Sequence, residues 1–317
     1  MVGALEEIAA EHDASANSIR GRKNTPPPEL LPQPLLLRCP AMFGQKLNPL
    51  LNDILACPAC QTALQIKRNA VLCPNCAASF AIKEGVPVFL PEPLALVEPD
   101  HISNPIGPDF ETVLKEGKDF VLHIGAGATA TRYPNCIEFE HKIFRHTDVV
   151  GDAHHLPFRD KIFDRVFAFN VFEHLTDPKN AAQEIRRVLK PGGAVAIHTA
   201  FLQTLHEAPH HYYNATEYGV REWFSGFEIE NCRVSANFAP GVMLAFLMSN
   251  VLEAARLGGA SWKEQALISD STVGEWAEFW TQRGEPPPGF GTLQNLPQPM
   301  QKRIAAGFEL LATKAGT

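Results

Sequence analysis

The sequence predicts an α/β protein with a parallel sheet, preceded by a small cysteine-rich module. From about residue 120 to 200, apolar strand-like runs alternate with amphipathic helical patterns, as a doubly wound parallel sheet requires. Before that region, four of the seven cysteines fall in two Cys-Pro-x-Cys pairs. With 317 residues, 45% of them hydrophobic, the chain is long enough to bury a sizeable core.

Composition divides the chain into three parts. Residues 1–45 contain a proline-rich stretch, which opposes regular helix or strand and predicts a flexible tail. Residues 46–92 hold the cysteine pairs and short β-like runs, and they predict a small independent module. Residues 93–317 then form the α/β domain, with a helical insertion at about 239–305.

Five strand-like runs and one clear helix make up the predicted α/β core. The helix between residues 178 and 190 places Ala181, Ile185 and Val188 on one face. Two later apolar runs, 227–234 and 308–312, are expected to be further strands. The first five strands are predicted near residues 120–124, 135–140, 148–151, 163–169 and 193–198.

Charge and cysteine usage exclude several classes of protein. The formal net charge is −7 and no run of basic residues is present, which argues against a dedicated nucleic-acid or anionic-membrane binder. An odd number of cysteines suits a reducing compartment, so we expect a cytoplasmic protein. The most apolar stretch, 242–252, is shorter than the roughly 20 residues of a spanning helix. No transmembrane segment is therefore expected.

Cys57, Cys60, Cys73 and Cys76 have the spacing of a zinc site. Each pair brings two thiolates onto one tight turn, and two such turns supply the four soft ligands of a tetrahedral Zn²⁺. The competing redox interpretation needs one reactive pair on a thioredoxin-like unit. So small a module also needs a staple in order to fold. We therefore expect the metal to be structural, with no open catalytic position.

A glycine turn follows the first predicted strand of the α/β region. Gly125 and Gly127 lack side chains and let the backbone approach a ligand at the carboxyl edge of the sheet. The same spacing also satisfies the dinucleotide fingerprint, so NAD remains a competing ligand. Carboxylates at Glu138 and Glu140 could accept both ribose hydroxyls. Asp152, after the third strand, is placed to accept an adenine amino group.

The ordered series from residue 120 to 198 resembles class I S-adenosylmethionine-dependent methyltransferases, in the quinone-biosynthesis-like group and its uncharacterised bacterial branch. The resemblance also rests on FDRVFAFNVFEHL at 163–175 and RVLKPGG at 187–193. It implies a Rossmann-like, doubly wound, seven-stranded sheet that ends with the runs at 227–234 and 308–312. It also implies S-adenosyl-L-methionine as cofactor, bound by Gly125, Gly127, Glu140 or Glu138, Asp152, Ala153 and Asn170.

Two positions depart from the pattern of this family. His123 stands where the family usually has an acidic residue, and Thr129 stands where it has a third glycine. A histidine cannot supply a carboxylate's negative charge, although Thr129 can donate a hydroxyl hydrogen bond. The alternative interpretation is therefore a sheet that kept its core and lost its ligand.

The cysteine module has a resemblance of its own. The runs LACPAC and LCPNCAASFAIKEGVPVFLP, within residues 50–91, resemble small zinc-ribbon activator proteins that pair with methyltransferases. Similar ribbons are fused ahead of bacterial methyltransferase domains. This module carries about one net positive charge and has no basic face of its own. We therefore expect it to brace the following domain and not to bind RNA.

A histidine-rich loop spans residues 198–218, after the fifth strand. It leaves the carboxyl edge of the sheet, where ligands of such sheets bind. If the acceptor is a protonated oxygen or nitrogen, His206 or His174 is the candidate base. His206 and His210 have metal-ligand spacing, but Pro209 interrupts the helix that would align them.

The leading functional prediction is methyl transfer from S-adenosylmethionine to a small-molecule, lipid or glycan acceptor. One alternative is a noncatalytic activator or scaffold for another enzyme. Another is a methyltransferase acting on tRNA or a translation factor, which the acidic charge opposes. An NAD oxidoreductase is the remaining alternative. For the apolar helical run 241–256, the alternatives are a core or lid role, which such stripes more often have, and an interfacial membrane role.

Overall fold

A nine-stranded sheet runs through the computed structural model, which describes residues 47–91 and 106–313. The predicted tail at 1–45 lies outside these residues. Numbered in chain order, the strands are β1 (Gln65–Ile66), β2 (Ala70–Leu72), β3 (Ser79–Lys83), β4 (Val86–Val88), β5 (Val121–Ile124), β6 (Cys136–Glu140), β7 (Val149–Val150), β8 (Phe163–Phe169) and β9 (Leu189–His198). Their order across the sheet is β1-β2-β3-β4-β7-β6-β5-β8-β9.

The α/β part of the sheet is parallel throughout. β7, β6, β5, β8 and β9 pair side by side in parallel. Every residue of β5 and β6 is buried, as in parallel sheets that are covered on both faces. The predicted α/β class, with a large parallel sheet and an N-terminal four-cysteine cluster, is confirmed.

Nine α-helices occur among the described residues. In the prediction from sequence, the helix at 178–190 had Ala181, Ile185 and Val188 on its inner face, and all three are buried in α3. Asp177 begins this helix by accepting a hydrogen bond from the backbone N–H of Asn180. The helices are α1 (Leu51–Ile54), α2 (Pro108–Glu116), α3 (Pro178–Val188), α4 (Glu217–Trp223), α5 (Pro240–Leu257), α6 (Trp262–Asp270), α7 (Val273–Trp280), α8 (Phe290–Gln294) and α9 (Gln298–Ile304).

The last two predicted strands are wrong. Residues 227–234 and 308–312 have no regular secondary structure. Phe308, Leu310 and Leu311 are 73–86% exposed. Both runs are apolar enough for a strand, but a strand also needs a neighbour to pair with. Across residues 47–91 and 106–313, no strand pairs with the outer edge of β9, so the parallel sheet stops there instead of reaching seven strands.

The cysteine module is not independent of the sheet. Its strands β1 to β4 form an antiparallel meander, and β4 joins β7 in parallel through Val88 and Val150. Leu51, Leu55 and Val71 belong to the same buried cluster as the core side chains of the α/β sheet. The expectation of an independent module is therefore wrong. A ribbon this small buries its own apolar side chains by extending the larger core.

Helices α5 to α9 follow the last strand and form the region predicted as an insertion. α5 buries Ala254 and Ala255 but exposes Val242, Leu244 and Met248. None of the helices in the described part of the chain is both long and apolar enough to span a membrane.

Candidate functional site

The four cysteine sulfurs of the ribbon converge on one point. Cys57 Sγ lies 3.6 Å from Cys76 Sγ, and Cys60 Sγ lies 3.4 Å from Cys73 Sγ. All four sulfurs are within 4.8 Å of one another. Tetrahedral zinc with Zn–S bonds of about 2.3 Å separates its sulfurs by about 3.8 Å, whereas a disulfide needs about 2.05 Å. The donor set therefore fits a four-thiolate Zn²⁺ site.

The surroundings of these sulfurs differ. Burial raises the pKa of Cys57 to about 12. The hydroxyl of Thr62 lies 3.4 Å from Cys60 Sγ, and hydrogen bonding from Thr62 lowers the pKa of Cys60 to about 5. The backbone N–H of Cys76 donates to Cys73 Sγ at 3.5 Å. Cys60 is thus prepared to bind a cation as a thiolate.

The predicted glycine turn follows β5 directly. Gly125 and Gly127 have φ values of 67° and 66°, in the left-handed region that favours glycine. A Cβ on Gly125 would lie 2.2 Å from Val171 Cγ2. The backbone N–H of Gly127 donates to Glu140 Oε1 at 2.7 Å. The turn is therefore fastened to a carboxylate at the carboxyl end of the neighbouring strand β6.

Glu138 and Glu140 lie on the same face of β6, but their partners differ. Glu140 Oε2 accepts from the backbone N–H of His141 at 2.9 Å, at the end of the strand. Glu138, two residues deeper, accepts from the Thr129 hydroxyl at 2.7 Å. Its other carboxylate oxygen has no hydrogen-bond partner among the described residues. Burial raises the pKa of Glu138 to about 7.

Asp152 and Asn170 lie beyond the ends of β7 and β8. Asp152 Oδ1 accepts from the backbone N–H of His154 at 2.9 Å and from its ring Nδ1 at 2.5 Å, while the Asp152 side chain is 44% exposed. Ala153 is buried. Asn170 is exposed and has a φ of 55°; its backbone N–H donates to the carbonyl of His198 at 2.9 Å.

His123, the first departure from the family pattern, belongs to an aromatic cluster inside the fold. Its ring centroid lies 5.8 Å from that of Phe169 and 6.4 Å from that of Phe167, and Phe110 of α2 packs on both phenylalanines. Burial lowers the pKa of His123 to about 4. The side chain is therefore a neutral part of the core and carries no charge for a ligand.

The two predicted catalytic histidines lie close together. His174 is in the turn after β8 and His206 is in the loop after β9, with their ring centroids 5.0 Å apart. His174 Nδ1 is 2.7 Å from the carbonyl of His210, and His206 Nδ1 is 2.9 Å from the carbonyl of Thr204. Because a carbonyl only accepts, each Nδ1 carries the proton and each Nε2 keeps its lone pair. Burial lowers the pKa of His174.

Glu173, which was not among the residues predicted from the sequence, lies against these histidines. One of its carboxylate oxygens and the ligand nitrogens of His174 and His206 are within 4.8 Å of one another. Glu173 Oε2 accepts from the Thr199 hydroxyl at 3.0 Å, and burial raises the pKa of Glu173. The signal in the sequence was an acidic residue next to a candidate histidine at the end of a strand. His210, weighed as a metal partner of His206, is exposed and lies outside this cluster.

The loop after β9 is tied to both sides of the site. The backbone N–H of Tyr212 donates to the carbonyl of Glu173 at 2.8 Å. On the other side, the Thr204 hydroxyl donates to Asn250 Oδ1 of α5 at 3.0 Å, and the backbone N–H of Leu205 donates to the carbonyl of Arg303 in α9 at 2.9 Å. The loop thus links the carboxyl edge of the sheet to the helical region.

Two cavities in the described part of the chain lie elsewhere. One of about 180 Å³ is lined by Asp164 and Lys190 among others, and one of about 560 Å³ by Leu47 and Arg132 among others. Neither is lined by a residue predicted to bind the cofactor.

Two protein families match separate segments of the chain. Residues 129–197 match the family described as "Methyltransferase domain", and residues 48–85 match the family described as "Trm112p-like protein". The first segment begins two residues after Gly127 and ends in β9, and the second includes all four ribbon cysteines.

Individual relatives match over short stretches. The chain is 34% identical over 98 residues to malonyl-[acyl-carrier protein] O-methyltransferase of Geobacter sulfurreducens, covering 24% of this chain and 37% of that enzyme. It is 44% identical over 48 residues to methyltransferase GfsG of Streptomyces halstedii, covering 15% and 17%. It is 43% identical over 49 residues to demethylmenaquinone methyltransferase of Thermotoga maritima, covering 16% and 21%. The chain thus spans less than two fifths of the length of these relatives.

Among solved structures, the chain is similar to a complex of the Haloferax volcanii Trm112 methyltransferase activator with a putative methyltransferase. The identity is 20% and the TM-score is 0.28, covering 37% of this chain and 66% of that chain. This likeness is too low to carry an argument. The two family matches confirm the resemblance stated from the sequence: residues 129–197 are similar to a methyltransferase domain, and residues 48–85, on its N-terminal side, are similar to Trm112p-like proteins.

Proposed function

We propose that this protein transfers the methyl group of S-adenosylmethionine to a small-molecule, lipid or glycan acceptor. The observation that carries the proposal is the hydrogen bond from the backbone N–H of Gly127 to Glu140 Oε1. It fixes a carboxylate beside a turn without side chains, at the carboxyl edge of the parallel sheet, where ligands of such sheets bind. A ribose with two hydroxyl donors suits that carboxylate.

Of the two candidate carboxylates, Glu140 meets the ribose. Each carboxylate oxygen has two lone pairs. Glu140 Oε2 is held by the backbone N–H and the ring Nδ1 of His141, but Oε1 holds only Gly127 and can still accept a ribose hydroxyl. Glu138 is deeper in the strand and already holds Thr129. Asp152 and Ala153 take the adenine, with the half-exposed Asp152 accepting its amino group. Gly125 and Asn170 line the rest of the cofactor site at the carboxyl edge of the sheet.

Methyl transfer requires few catalytic groups, because the sulfonium of S-adenosylmethionine already contains a good leaving group. The chain must align the acceptor with the methyl carbon and exclude water. A base is needed only when the acceptor is a protonated oxygen or nitrogen. His206 and His174 suit that role because their Nε2 lone pairs are not used by the Nδ1 hydrogen bonds.

Two features support a small-molecule, lipid or glycan acceptor, whereas the relatives favour no single acceptor class. The net charge of −7 opposes a polyanionic substrate. α5, which bonds to the loop through Asn250, exposes apolar side chains such as Leu244 and Met248. The names of the relatives include malonyl-[acyl-carrier protein], demethylmenaquinone, tRNA U34 and sterol acceptors, so the relatives do not converge on one substrate.

The ribbon, at residues 46–92, would hold one structural Zn²⁺ through Cys57, Cys60, Cys73 and Cys76. Its thiols are free and closely spaced, which suits the reducing cytoplasm where we place the protein. When bound, this metal supplies cross-linking and no chemistry, because four protein ligands leave no open position. The ribbon would then brace the methyltransferase domain formed by residues 93–317, including its helical insertion at about 239–305.

Calorimetric titration with S-adenosylmethionine, S-adenosylhomocysteine and NAD tests the proposal. We expect binding of the first two and none of NAD. Asp152→Ala should weaken S-adenosylmethionine binding by about 1–3 kcal/mol, because the adenine amino group would lose a charged hydrogen-bond acceptor. Gly127→Val should abolish binding by placing a side chain in the site. Because Val is strained at the positive φ of this position, thermal melting is needed to show that the variant is folded. Asp270→Ala, at an exposed position of α6, is the matched control. Wild-type affinity in both site variants would place the ligand elsewhere.

A noncatalytic activator or scaffold is the second candidate, favoured by the Trm112p-like match. It predicts no binding of S-adenosylmethionine in the same titration. Incubation with methyl-tritiated S-adenosylmethionine and separated lipid, glycan, small-molecule, RNA and protein fractions then identifies the acceptor class. Label that enters only RNA would overturn the proposed acceptor and favour the tRNA alternative.

A further inference from the structure

A second cluster of metal-ligating side chains lies far along the chain from the ribbon. It consists of Glu173 and His174, in the turn after β8, and His206, in the loop after β9. Each offers one ligand atom, and the three atoms lie within 4.8 Å of one another. This group is different from the His206 and His210 pair that the sequence spacing brought into consideration.

Both histidines are oriented as metal ligands usually are. The Nδ1–H of His174 donates to the carbonyl of His210 at 2.7 Å, and the Nδ1–H of His206 donates to the carbonyl of Thr204 at 2.9 Å. Metal-binding histidines almost always donate their second ring nitrogen to a carbonyl or carboxylate, which fixes the ring and its tautomer. Both Nε2 lone pairs are therefore not used by these hydrogen bonds.

The carboxylate of Glu173 is an independent sign that a ligand belongs here. Its side chain is fully buried, with 0% exposure. Oε2 accepts from the Thr199 hydroxyl at 3.0 Å, but Oε1 has no hydrogen-bond partner among the described residues. An unpartnered buried carboxylate oxygen is costly and calls for a cation or a donor.

His211 closes the cluster on one side without entering it. Its Nδ1 accepts from the backbone N–H of His206 at 3.3 Å, and its Nε2 donates to the carbonyl of Tyr213 at 3.2 Å. Both ring nitrogens are therefore used. His211 holds the backbone of His206 in place and supplies no fourth ligand.

We propose that Glu173, His174 and His206 bind a divalent transition-metal ion of the Zn²⁺ class, through one carboxylate oxygen and two Nε2 atoms. Two imidazoles and one carboxylate with an open fourth position form the donor set of catalytic zinc, in contrast to the closed four-thiolate ribbon. His174 and His206 are only half-buried, so the open fourth position of the metal would be accessible from the loop after β9.

The role of this ion rests on the proposed function, whereas the binding itself does not. A hydroxyl-bearing acceptor bound to the ion becomes more acidic and loses its proton to solvent water. The resulting oxyanion would attack the methyl carbon. The carbon–sulfur bond would break as the oxygen–carbon bond forms, with its electron pair remaining on sulfur, and the products would be the methyl ether or ester and S-adenosylhomocysteine. The histidines are then metal ligands and not bases.

The test is zinc content per folded full-length chain, after equilibration with Zn²⁺ and removal of free metal. We expect the wild type to hold one equivalent more than the ribbon accounts for, and His206→Ala, His174→Ala and Glu173→Gln each to lose that equivalent. His155→Ala, at an exposed histidine outside the cluster, is the matched control and should keep it. Co²⁺ in the second site should show ligand-field bands without the thiolate charge-transfer band of the ribbon.

Two results would overturn the inference: ribbon zinc alone in the wild type, or an extra equivalent that survives all three cluster substitutions. Thermal melting identifies any variant that fails to fold, and His206→Ala, in a half-buried loop, keeps the test valid if Glu173→Gln unfolds. Calorimetry with S-adenosylmethionine on the same samples separates the two proposals. Cofactor binding without the extra metal refutes only this inference, and metal without cofactor binding refutes only the proposed function.

Discussion

The two outer edges of the parallel sheet are finished in opposite ways. At the β7 edge, the ribbon adds four strands and shares the buried core of the sheet. At the β9 edge, no described strand is added, and the chain continues into the loop and helices α4 to α9. There, tertiary bonds such as those of Thr204 and Leu205 hold the loop to the helices.

This difference indicates that the ribbon side of the sheet stabilises the fold and that the β9 side binds the acceptor. Backbone bonds such as Ala56 N–H to the carbonyl of Pro157, at 3.0 Å, make the ribbon part of the fold. The β9 side carries the histidines, exposed apolar side chains and few buried residues. Side chains that are little buried can change at low cost to stability. We therefore expect changes at the ribbon to affect folding, and changes beyond β9 to affect the acceptor.

The largest effect is expected from Cys60→Ser. Because metal binding supplies folding energy to such a module, and the module shares the core, the whole α/β domain should lose stability. Thermal melting should show one cooperative transition shifted to lower temperature. Cys232→Ser, at a half-buried free cysteine outside the ribbon, is the control and should melt like the wild type. Two separate transitions, with the sheet unchanged, would break the comparison between the edges.

His206→Ala should act on turnover and leave folding intact. Whether His206 is a base or a metal ligand, its loss should slow methyl transfer by roughly 10²–10⁴, with the affinity for S-adenosylmethionine nearly unchanged. His206→Gln keeps a hydrogen bond but cannot take a proton, so its rate separates positioning from base catalysis. Near-normal turnover of His206→Ala with an identified acceptor would remove the residue from the mechanism.

Glu138→Gln should change how the free energy of unfolding depends on pH. The pKa of Glu138 is raised from 4.5 to about 7 in the fold, so the folded state holds a proton that the unfolded chain has lost. The contribution of Glu138 to the free energy of unfolding is fully present below about pH 4.5 and is lost as the pH rises through 7. The loss is about 3 kcal/mol.

His123 acts in the opposite direction on the same stability curve. Its pKa is lowered to about 4, so its contribution is lost as the pH falls from 6.5 through 4. Glu138→Gln leaves the contribution of His123 unchanged. The difference in unfolding free energy between wild type and variant, measured with urea, therefore reports on Glu138 alone. A difference in unfolding free energy that does not change between pH 4.5 and 7 would contradict the burial of an ionisable carboxyl there.

The smallest effect is expected from Thr204→Val. This change removes the hydroxyl that donates to Asn250 Oδ1, at a cost of about 1 kcal/mol for a neutral hydrogen bond. If the loop and α5 together shape the acceptor pocket, the KM for the acceptor should rise several-fold while S-adenosylmethionine affinity stays constant. A change in cofactor affinity with no change in acceptor KM would move this contact to the other half of the site.

The sequence predicted the parts of the molecule that local patterns determine. The helix with Ala181 and Ile185 on its inner face, the five parallel strands and the convergence of four cysteines follow from periodicity and spacing. The strand at 227–234 failed because pairing depends on a neighbour that no local pattern reports. The role of Glu173 escaped because its significance comes from burial against His206, which lies 33 positions away in the chain.

A crystal structure of the protein with S-adenosylhomocysteine would show directly where the cofactor binds. We expect a ribose hydroxyl on the Glu140 carboxylate, the adenine beside Asp152 and Ala153, and the sulfur facing the cluster of Glu173, His174 and His206. Density for the ligand at any other edge of the sheet, or a sulfur turned away from the loop after β9, would contradict this prediction.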